Sequence, residues 1–598
     1  MSSVRLRLAA VALALSSQAN AGDVASLEGI WVARLPAAPS LKGPLSVARR
    51  HGGWVGRLAG EHAASVAAAG ELLLEFPGHA GTLRALLAPD RRSIEGFWVQ
   101  PPQAADPAFA TPVALHRGAG GVYRGSIVPL EEGFTLYLDV FRAADGSWLG
   151  AFRNPERNSR GGAAQFHVSA DADHVRFEAV STGERRPHLE AGWQHDPERL
   201  LIEWPDAGQR LTLERASASA AGRFWARPRD SAPYRYRRPA ATGDGWETIA
   251  AGRLGVDQSA LEALVERLAR VDPASERPPL VHSLLIAYRG RLVLEEYFFG
   301  YGREQTDDLR SASKTFASVM LGTAMRRGLP IQPASRVYPM FTSQPPFAAP
   351  DPRKADITIA QLLTHTSGLA CDDANDDSPG NEDAMQSQRA QPDWARYTLD
   401  LPMVHDPGAI YAYCSGGTNV VGAAIARTSG TWLPEWFERT VARPLQFGRY
   451  YWNLMPNGAG YAGGGARLRP RDLLKVGELY LDGGTWRGGR LLDASWVASS
   501  TLGRQPVTPA ATGLSPEQFR DSYLEAADGY AWHASTLESN GRRYREYAAT
   551  GNGGQVLSVV PELSLAVVFT AGNYGQGGIW TRFRPELVGG AIIPATGH

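Results

Sequence analysis

Two strand-like runs stand before a long helical stretch in the second half of this chain, and three stand after it. Ser283–Tyr288 and Leu292–Phe298 flank Arg289-Gly290-Arg291, a hairpin signal. A mostly helical, loop-rich stretch runs from Ser311 to about 500. The runs 543–550, 555–560 and 564–570 then close the chain. Strands at both ends of a segment pair most simply into one antiparallel sheet with a helical subdomain inserted between them, an α+β arrangement. Gln258–Val271 adds an amphipathic helix, with Leu261, Leu264, Val265 and Leu268 on one face.

That sheet accounts for little more than half of 598 residues, too long a chain for one core. Residues 22–230 read as a separate all-β accessory domain, a sandwich or barrel. Phe134–Val140 alternates with a period of two, and short apolar runs such as 29–32, 72–74, 174–177 and 200–204 are separated by Gly, Pro and Asp. An echo between Gly96–Pro101 and Gly222–Pro228 suggests related strand ends. Residues 231–245, rich in Pro, Gly and charge, read as a linker, and 246–598 as the second domain.

Residues 1–21 have the form of an export signal: Arg5 and Arg7, apolar Leu8–Leu15, then Ala19-Asn20-Ala21. The mature chain is expected in the periplasm or secreted, with no integral membrane segment after signal removal. Formal net charge is zero and no basic run stands out, which argues against a nucleic-acid partner. The two cysteines, Cys371 and Cys414, permit one disulfide in an oxidising compartment; two buried thiols are the alternative. The histidines of the first half have no metal-ligand spacing. Asp373, Asn375 and Asp377 imitate the start of a Ca²⁺ loop, but Ser378 stands where Gly is required and Ala384 at position twelve. A solvated loop, lining a cleft, is the preferred reading, and no metal or cofactor is expected.

Chemistry is suggested by Ser311-Ala312-Ser313-Lys314 at the head of a helix-like run that ends at Arg326-Arg327-Gly328. Side chains at i and i+3 share a face, about 5–6 Å apart at Cβ. A hydroxyl and an amine at that separation suit a serine nucleophile with a lysine base. A free Lys amine is protonated at neutral pH, so this role calls for burial and a cationic neighbourhood that depress its pKa.

Four further stretches follow in order: Ile357–Leu369 with Thr364-His365-Thr366-Ser367-Gly368, Asp406–Gly417 with Tyr411-Ala412-Tyr413-Cys414-Ser415, Gly463–Leu473, and Ala549-Thr550-Gly551-Asn552-Gly553-Gly554-Gln555. Together with Ser311–Lys314 they resemble the serine β-lactamase and penicillin-binding-protein superfamily, closest to its class C-like branch of esterases, D-amino-acid peptidases and hydrolases of small linear amides. The resemblance covers 246–598. It implies a β-lactamase-like fold, Ser311 as acylated nucleophile, Lys314 as its base, and Tyr413 as the tyrosine that carries the proton to the leaving group. Ser415 replaces the Asn of Tyr-x-Asn, and the Lys of Lys-Thr-Gly is missing. Two registers remain for that third element: Ala549-Thr550-Gly551, or Asn552-Gly553-Gly554 in the manner of His-x-Gly. Ser415, Gly551, Asn552, Gly553 and Gln555 are accordingly the candidate substrate and oxyanion residues, with the amide of Ser311 as one donor and that of Asn552 or Gln555 as the other. In β-lactam-binding members the missing Lys helps receive a carboxylate, so the expected substrate is a small ester, an amide or a peptide-like molecule. A true β-lactamase or D,D-peptidase is the runner-up, and a non-catalytic cell-envelope binding protein the rival. His365 resembles a structural turn of the family; His533 faces the site or packs in the core.

Overall fold

In the computed structural model, the described residues are 24–598 without 37–39, 51–52, 68–70, 103–106, 132, 181–187 and 343–345. The expected export signal lies outside them.

The first half is two rings of strands, one inserted in the other. Strand Gly29–Leu35 pairs antiparallel with Phe134–Arg142 on one side and with Gln209–Arg215 on the other, closing an eight-stranded barrel. Between Leu35 and Phe134 the chain makes eight more strands, from Gly43–Arg50 to Tyr123–Ile127. These two end strands pair with each other, and Tyr123–Ile127 also pairs with Phe109–Arg117. Of the two expected all-β architectures, the barrel is the one present, twice. An eight-stranded ring is just wide enough for side chains to fill it. Trp31, Phe152, Phe166 and Trp204 fill the first ring, and Leu45, Leu74, Leu83 and Trp98 the second. Strand Gln209–Arg215 shows the pattern: Leu211 and Leu213 point in and their neighbours out. The echo at Gly222–Pro228 does not mark a strand. Gly96–Gln100 belongs to one, whereas 222–228 follows the one-turn helix Ala218–Ala221 in a chain of turns.

The second half holds an eight-stranded antiparallel sheet, in the α+β arrangement expected. Val281–Tyr288 pairs with Leu565–Ala571, so the two ends of the segment do meet. The sheet is larger than its sequence reading. His533–Ser539 and two short strands extend it beyond Arg542–Gly551. The central strands read as continuous apolar runs because both faces are covered. Leu285, Ala287, Ala566 and Val568 face the helices Thr315–Arg326 and Pro470–Leu481. Leu284, Ile286, Val567 and Phe569 face Gln258–Ala269 and the helical segment Phe583–Ile592.

Segment 231–245 contains no helix or strand, yet it is pinned along its length. Tyr234 and Tyr236 amides donate to Glu266 and Glu262, and Asp244 pairs with buried Arg471 at 2.6 Å. The halves are also stitched together. Trp452–Asn453 adds a short strand to Phe109–Arg117, Thr111 Oγ1 donates to the Tyr450 carbonyl at 2.8 Å, and Arg160 donates to the Ser275 carbonyl. No helix among the described residues is long and apolar enough to cross a membrane.

Candidate active site

The run carrying Ser-x-x-Lys starts more tightly than a plain helix. Arg310–Lys314 forms 3₁₀ turns before the α-helix Thr315–Arg326, which stops at Gly328 in a left-handed conformation. In 3₁₀ geometry residues i and i+3 eclipse, and Lys314 Nζ donates to Ser311 Oγ at 2.8 Å. The turn is held from several sides. Ser313 Oγ donates to the Arg310 carbonyl and accepts from the Ala466 amide. The Gly465 amide donates to the Arg310 carbonyl, and Thr315 Oγ1 to the Ala531 carbonyl. Much of the Gly463–Leu473 motif is explained by this contact. Its remainder is a buried cluster in which Asp472 pairs with Arg469 and Lys475.

Gly551, at the end of strand Arg542–Gly551, meets the same turn from the sheet. A Cβ there would run into the Leu309 carbonyl oxygen, so the close approach requires glycine. Thr550, Gly551 and Asn552 line the cleft beside Ser311. Asn552 Oδ1 accepts from the Gly575 amide at 2.9 Å. Gly553 and Gln555 do not line it. Gly553 is buried and its carbonyl accepts from Asn573; the Gln555 side chain is fully buried and donates to the Ala571 carbonyl at 2.6 Å.

Tyr413 completes the corner, with its hydroxyl within hydrogen-bonding reach of Ser311 and Lys314. Its backbone is clamped on both sides. Cys414 is disulfide-bonded to Cys371 and its amide donates to His365 Nδ1 at 3.2 Å, while the Tyr413 carbonyl accepts from Asp373. His365 packs at 4.5 Å from the Tyr413 ring. Burial pulls it down to about 4, so it is a neutral prop at working pH. Burial pushes the Tyr413 phenol up, and the Lys314 charge and the Ser311 hydrogen bond pull it partly back.

Two expectations need correction here. Ser415, a candidate for substrate contact, is fully buried. It opens helix Ser415–Ser429 and donates both its amide, at 2.8 Å, and its hydroxyl, at 2.6 Å, to Asp373. A carboxylate at a helix N-terminus is well placed against the helix dipole. The neighbourhood of Lys314 is also acidic rather than cationic. Burial would lower the amine, but Tyr413, Glu382 and Asp373 outweigh it and hold the ammonium above its ordinary range. Asp373 is itself pushed up to about 6 by burial and by Glu382, against the pull of Lys314 and Ser415. The 373–383 loop therefore lines the cleft, as expected, but reaches the reactive corner through Asp373. Its signal was its position two residues after a cysteine whose partner follows Tyr413. A second group escaped notice as a unit. Asp528, buried, accepts from Tyr411 at 2.7 Å and lies 2.6 Å from His533 Nδ1, and all three line the cleft. Among the described residues no cluster of His, Cys, Asp and Glu could hold a metal ion.

The chain is 24% identical over 278 residues to the 6-aminohexanoate-dimer hydrolase of Paenarthrobacter ureafaciens, covering 46% of this chain and 68% of that one. Among solved structures it aligns with a family VIII carboxylesterase (17% identity, TM-score 0.42, 58% of this chain and 98% of that one). It also aligns with a penicillin-binding-protein homolog from Caulobacter crescentus (14%, TM-score 0.41, 56% and 97%). The family model described as Beta-lactamase matches residues 279–577, half of the chain, from the first sheet strand to the loop beside Asn552, and the chain belongs to that family of serine hydrolases.

Proposed function

We propose that this hydrolase acylates Ser311 with a small ester or amide and releases the acyl group to water. The observation that carries the reading is the 2.8 Å contact from Lys314 Nζ to Ser311 Oγ, with the Tyr413 hydroxyl in reach of both. A serine hydroxyl is a weak nucleophile until a neighbour takes its proton. Lys314 and Tyr413 are strongly coupled, and a proton can reside on either without leaving the pair. The acidic surroundings favour a charged Lys314, whose charge partly offsets the burial that pushes the Tyr413 phenol up, so the reactive form of the pair is the one that has given up one proton. Ser311 Oγ attacks the carbonyl carbon and its proton passes to the pair. The oxyanion is received by the amides of Ser311 and Asn552, each such donor being worth about 10²–10³ in turnover. The pair then protonates the leaving group, and water repeats the sequence on the acyl-enzyme. Asn552 is preferred to Gln555 because it lines the cleft. Ser415 and Asp373 act from beneath, by holding the first turn of helix Ser415–Ser429.

An ester or small amide is favoured over a β-lactam because Ala549 stands where a Lys would receive the carboxylate. The relative named for hydrolysis of the 6-aminohexanoate dimer supports the same preference. We further read 1–21 as a cleaved export signal, placing the protein in the periplasm or outside the cell, and 22–230 and 246–598 as accessory and hydrolase domains joined by 231–245.

A fluorophosphonate probe tests the central claim. The folded protein should be labelled, and Ser311→Ala should not. An unlabelled but folded wild type would favour a non-catalytic binding protein, and labelling that survives Ser311→Ala would place the nucleophile elsewhere. Faster turnover of nitrocefin than of p-nitrophenyl acetate would overturn the substrate preference.

A further inference from the structure

The cleft that contains Ser311 has a volume of about 1720 Å³, larger than the roughly 300–1,000 Å³ of pockets for small ligands. The hydrolase half does not enclose it alone. One end of the first barrel opens onto it through Leu35 and Pro36, Phe134, Glu156 and Arg157, and Gln209. These lie at the end of one strand, the start of the next, the following turn and the last hairpin, which in an up-and-down barrel all fall on the same rim. The rim and the nucleophile thus line one shared space.

Four arginines line this cleft, and three of them are engaged. Arg310 and Arg467 pair with Asp308, and Arg277 donates to the Gly578 carbonyl at 3.0 Å. Arg157 is exposed, and its guanidinium has no hydrogen-bond or ion-pair partner among the described residues. Its neighbour Glu156 accepts from the Thr135 amide and from Asn154, so that carboxylate is already used. Glu276 faces the same cleft but forms no ion pair with Arg157.

The turn that carries Arg157 is rigid. Asn154 is buried and its Oδ1 accepts from the Arg157 amide at 2.7 Å, while the Asn154 carbonyl accepts from Asn158 at 2.8 Å. Trp204 Nε1 donates to Ser159 Oγ from inside the barrel. Arg160 donates to the Ser275 carbonyl at 2.7 Å. Asn158 donates to the carbonyl of Tyr574, next to the Gly575 amide that binds Asn552. With the backbone anchored, a ligand there has only the Arg157 side chain to order. Guanidinium geometry suits a bidentate carboxylate.

We propose that Arg157 receives a carboxylate on the substrate remote from the scissile carbonyl, which makes the first barrel a specificity element of the hydrolase cleft. The inference rests on the serine-hydrolase reading above and adds the substrate class: esters or amides carrying an anionic group at a distance from the bond that is cut.

The test uses the full chain and two substrate pairs, because the anionic group could lie on either side of that bond. Mono-p-nitrophenyl suberate against p-nitrophenyl octanoate places the charge on the acyl side. The acetyl ester of 4-hydroxybenzoate against that of its methyl ester places it on the leaving group. In at least one pair, Arg157→Ala should lower the kcat/KM ratio of charged over neutral substrate by roughly five- to tenfold. Arg157→Glu should lower it further, and 0.5 M NaCl should shrink the difference. Turnover of p-nitrophenyl acetate should stay within twofold. Ratios unchanged in both pairs overturn the proposal, and so does an equal loss on every substrate, which would mark Arg157 as structural. Absence of any turnover by the wild type, with Ser311 unlabelled, would instead be the failure of the serine-hydrolase reading.

Discussion

The barrels and the reactive corner bury different things. Inside each ring the packed cluster is apolar. In the hydrolase half the buried groups include Lys314 and Ser415 at the corner, and Asp472, Lys475 and Arg471 on the helix Pro470–Leu481, each with a partner. Burying a charge is costly unless it is paired and hydrogen-bonded. The hydrolase half bears that cost, in part where a proton must move; the first barrel carries buried Asp139 and Arg153 on its strands, but neither belongs to its packed interior. Barrel interiors therefore bear on stability, and their chemistry is confined to the rim. The corner bears on turnover, and its residues need not favour stability at all.

That contrast can be broken by two substitutions. Phe152, buried in the first barrel, packs 5.0 Å from both Phe177 and Trp204 and 5.6 Å from Phe166. Phe152→Ala should cost about 3–5 kcal/mol in the unfolding of that barrel, read by tryptophan fluorescence in urea. Turnover of p-nitrophenyl acetate at 20 °C should stay within twofold. A parallel loss of turnover would mean that the barrel core and the corner are one unit. Gly551→Ala is the converse case. The new methyl group meets the Leu309 carbonyl, so the strand end and the Ser311 turn must part. A displacement of that size should lower kcat by about 10² while stability changes less. Near-wild-type kcat would show that the close approach is not needed.

How much of this could be read beforehand follows the same division. The hairpin around Arg289-Gly290, the helix Gln258–Ala269 and the strands that close the chain are local patterns, and all are present. Ser311, Lys314 and Tyr413 come together across about 100 residues, which only the order of motifs suggested. What escaped the reading was non-local. Ring closure depends on pairing between Gly29–Leu35 and Gln209–Arg215, which no window of sequence contains. His533–Ser539 alternates too weakly to stand out, because two of its inward positions, Ser535 and Ser539, are polar. The acidic surroundings of Lys314 come from a loop that reads as solvated. Its composition is polar throughout, and only the Cys371–Cys414 bond and the helix start at Ser415 turn one of its acids inward.

Asp373 is where the comparison is sharpest, because activity and stability should respond to it with opposite sign. Its carboxyl is held at about 6, above the ordinary 3.8. A carboxyl raised by folding contributes stability below the ordinary value and loses that contribution as pH rises through about 6. At pH 8 the ionised Asp373 is thus a net cost to the fold, partly offset by Ser415 and Lys314. The same negative charge is one of three that hold Lys314 as an ammonium beside Tyr413. As pH falls through about 6 the charge is lost and the hold of Asp373 on the Ser415 amide and hydroxyl, two residues from Tyr413, weakens, so kcat/KM for p-nitrophenyl acetate should fall with it while the protein stays folded. Asp373→Asn keeps an oxygen to accept from Ser415 but removes the charge. It should lower kcat/KM at pH 8 by about tenfold, within the range for one general acid–base contribution, and abolish the acid limb near pH 6. Its melting temperature at pH 8 should equal or exceed that of the wild type. An acid limb that survives in Asp373→Asn would assign the titration to another group, and a lower melting temperature at pH 8 would show that the ionised carboxylate supports the fold rather than the reaction.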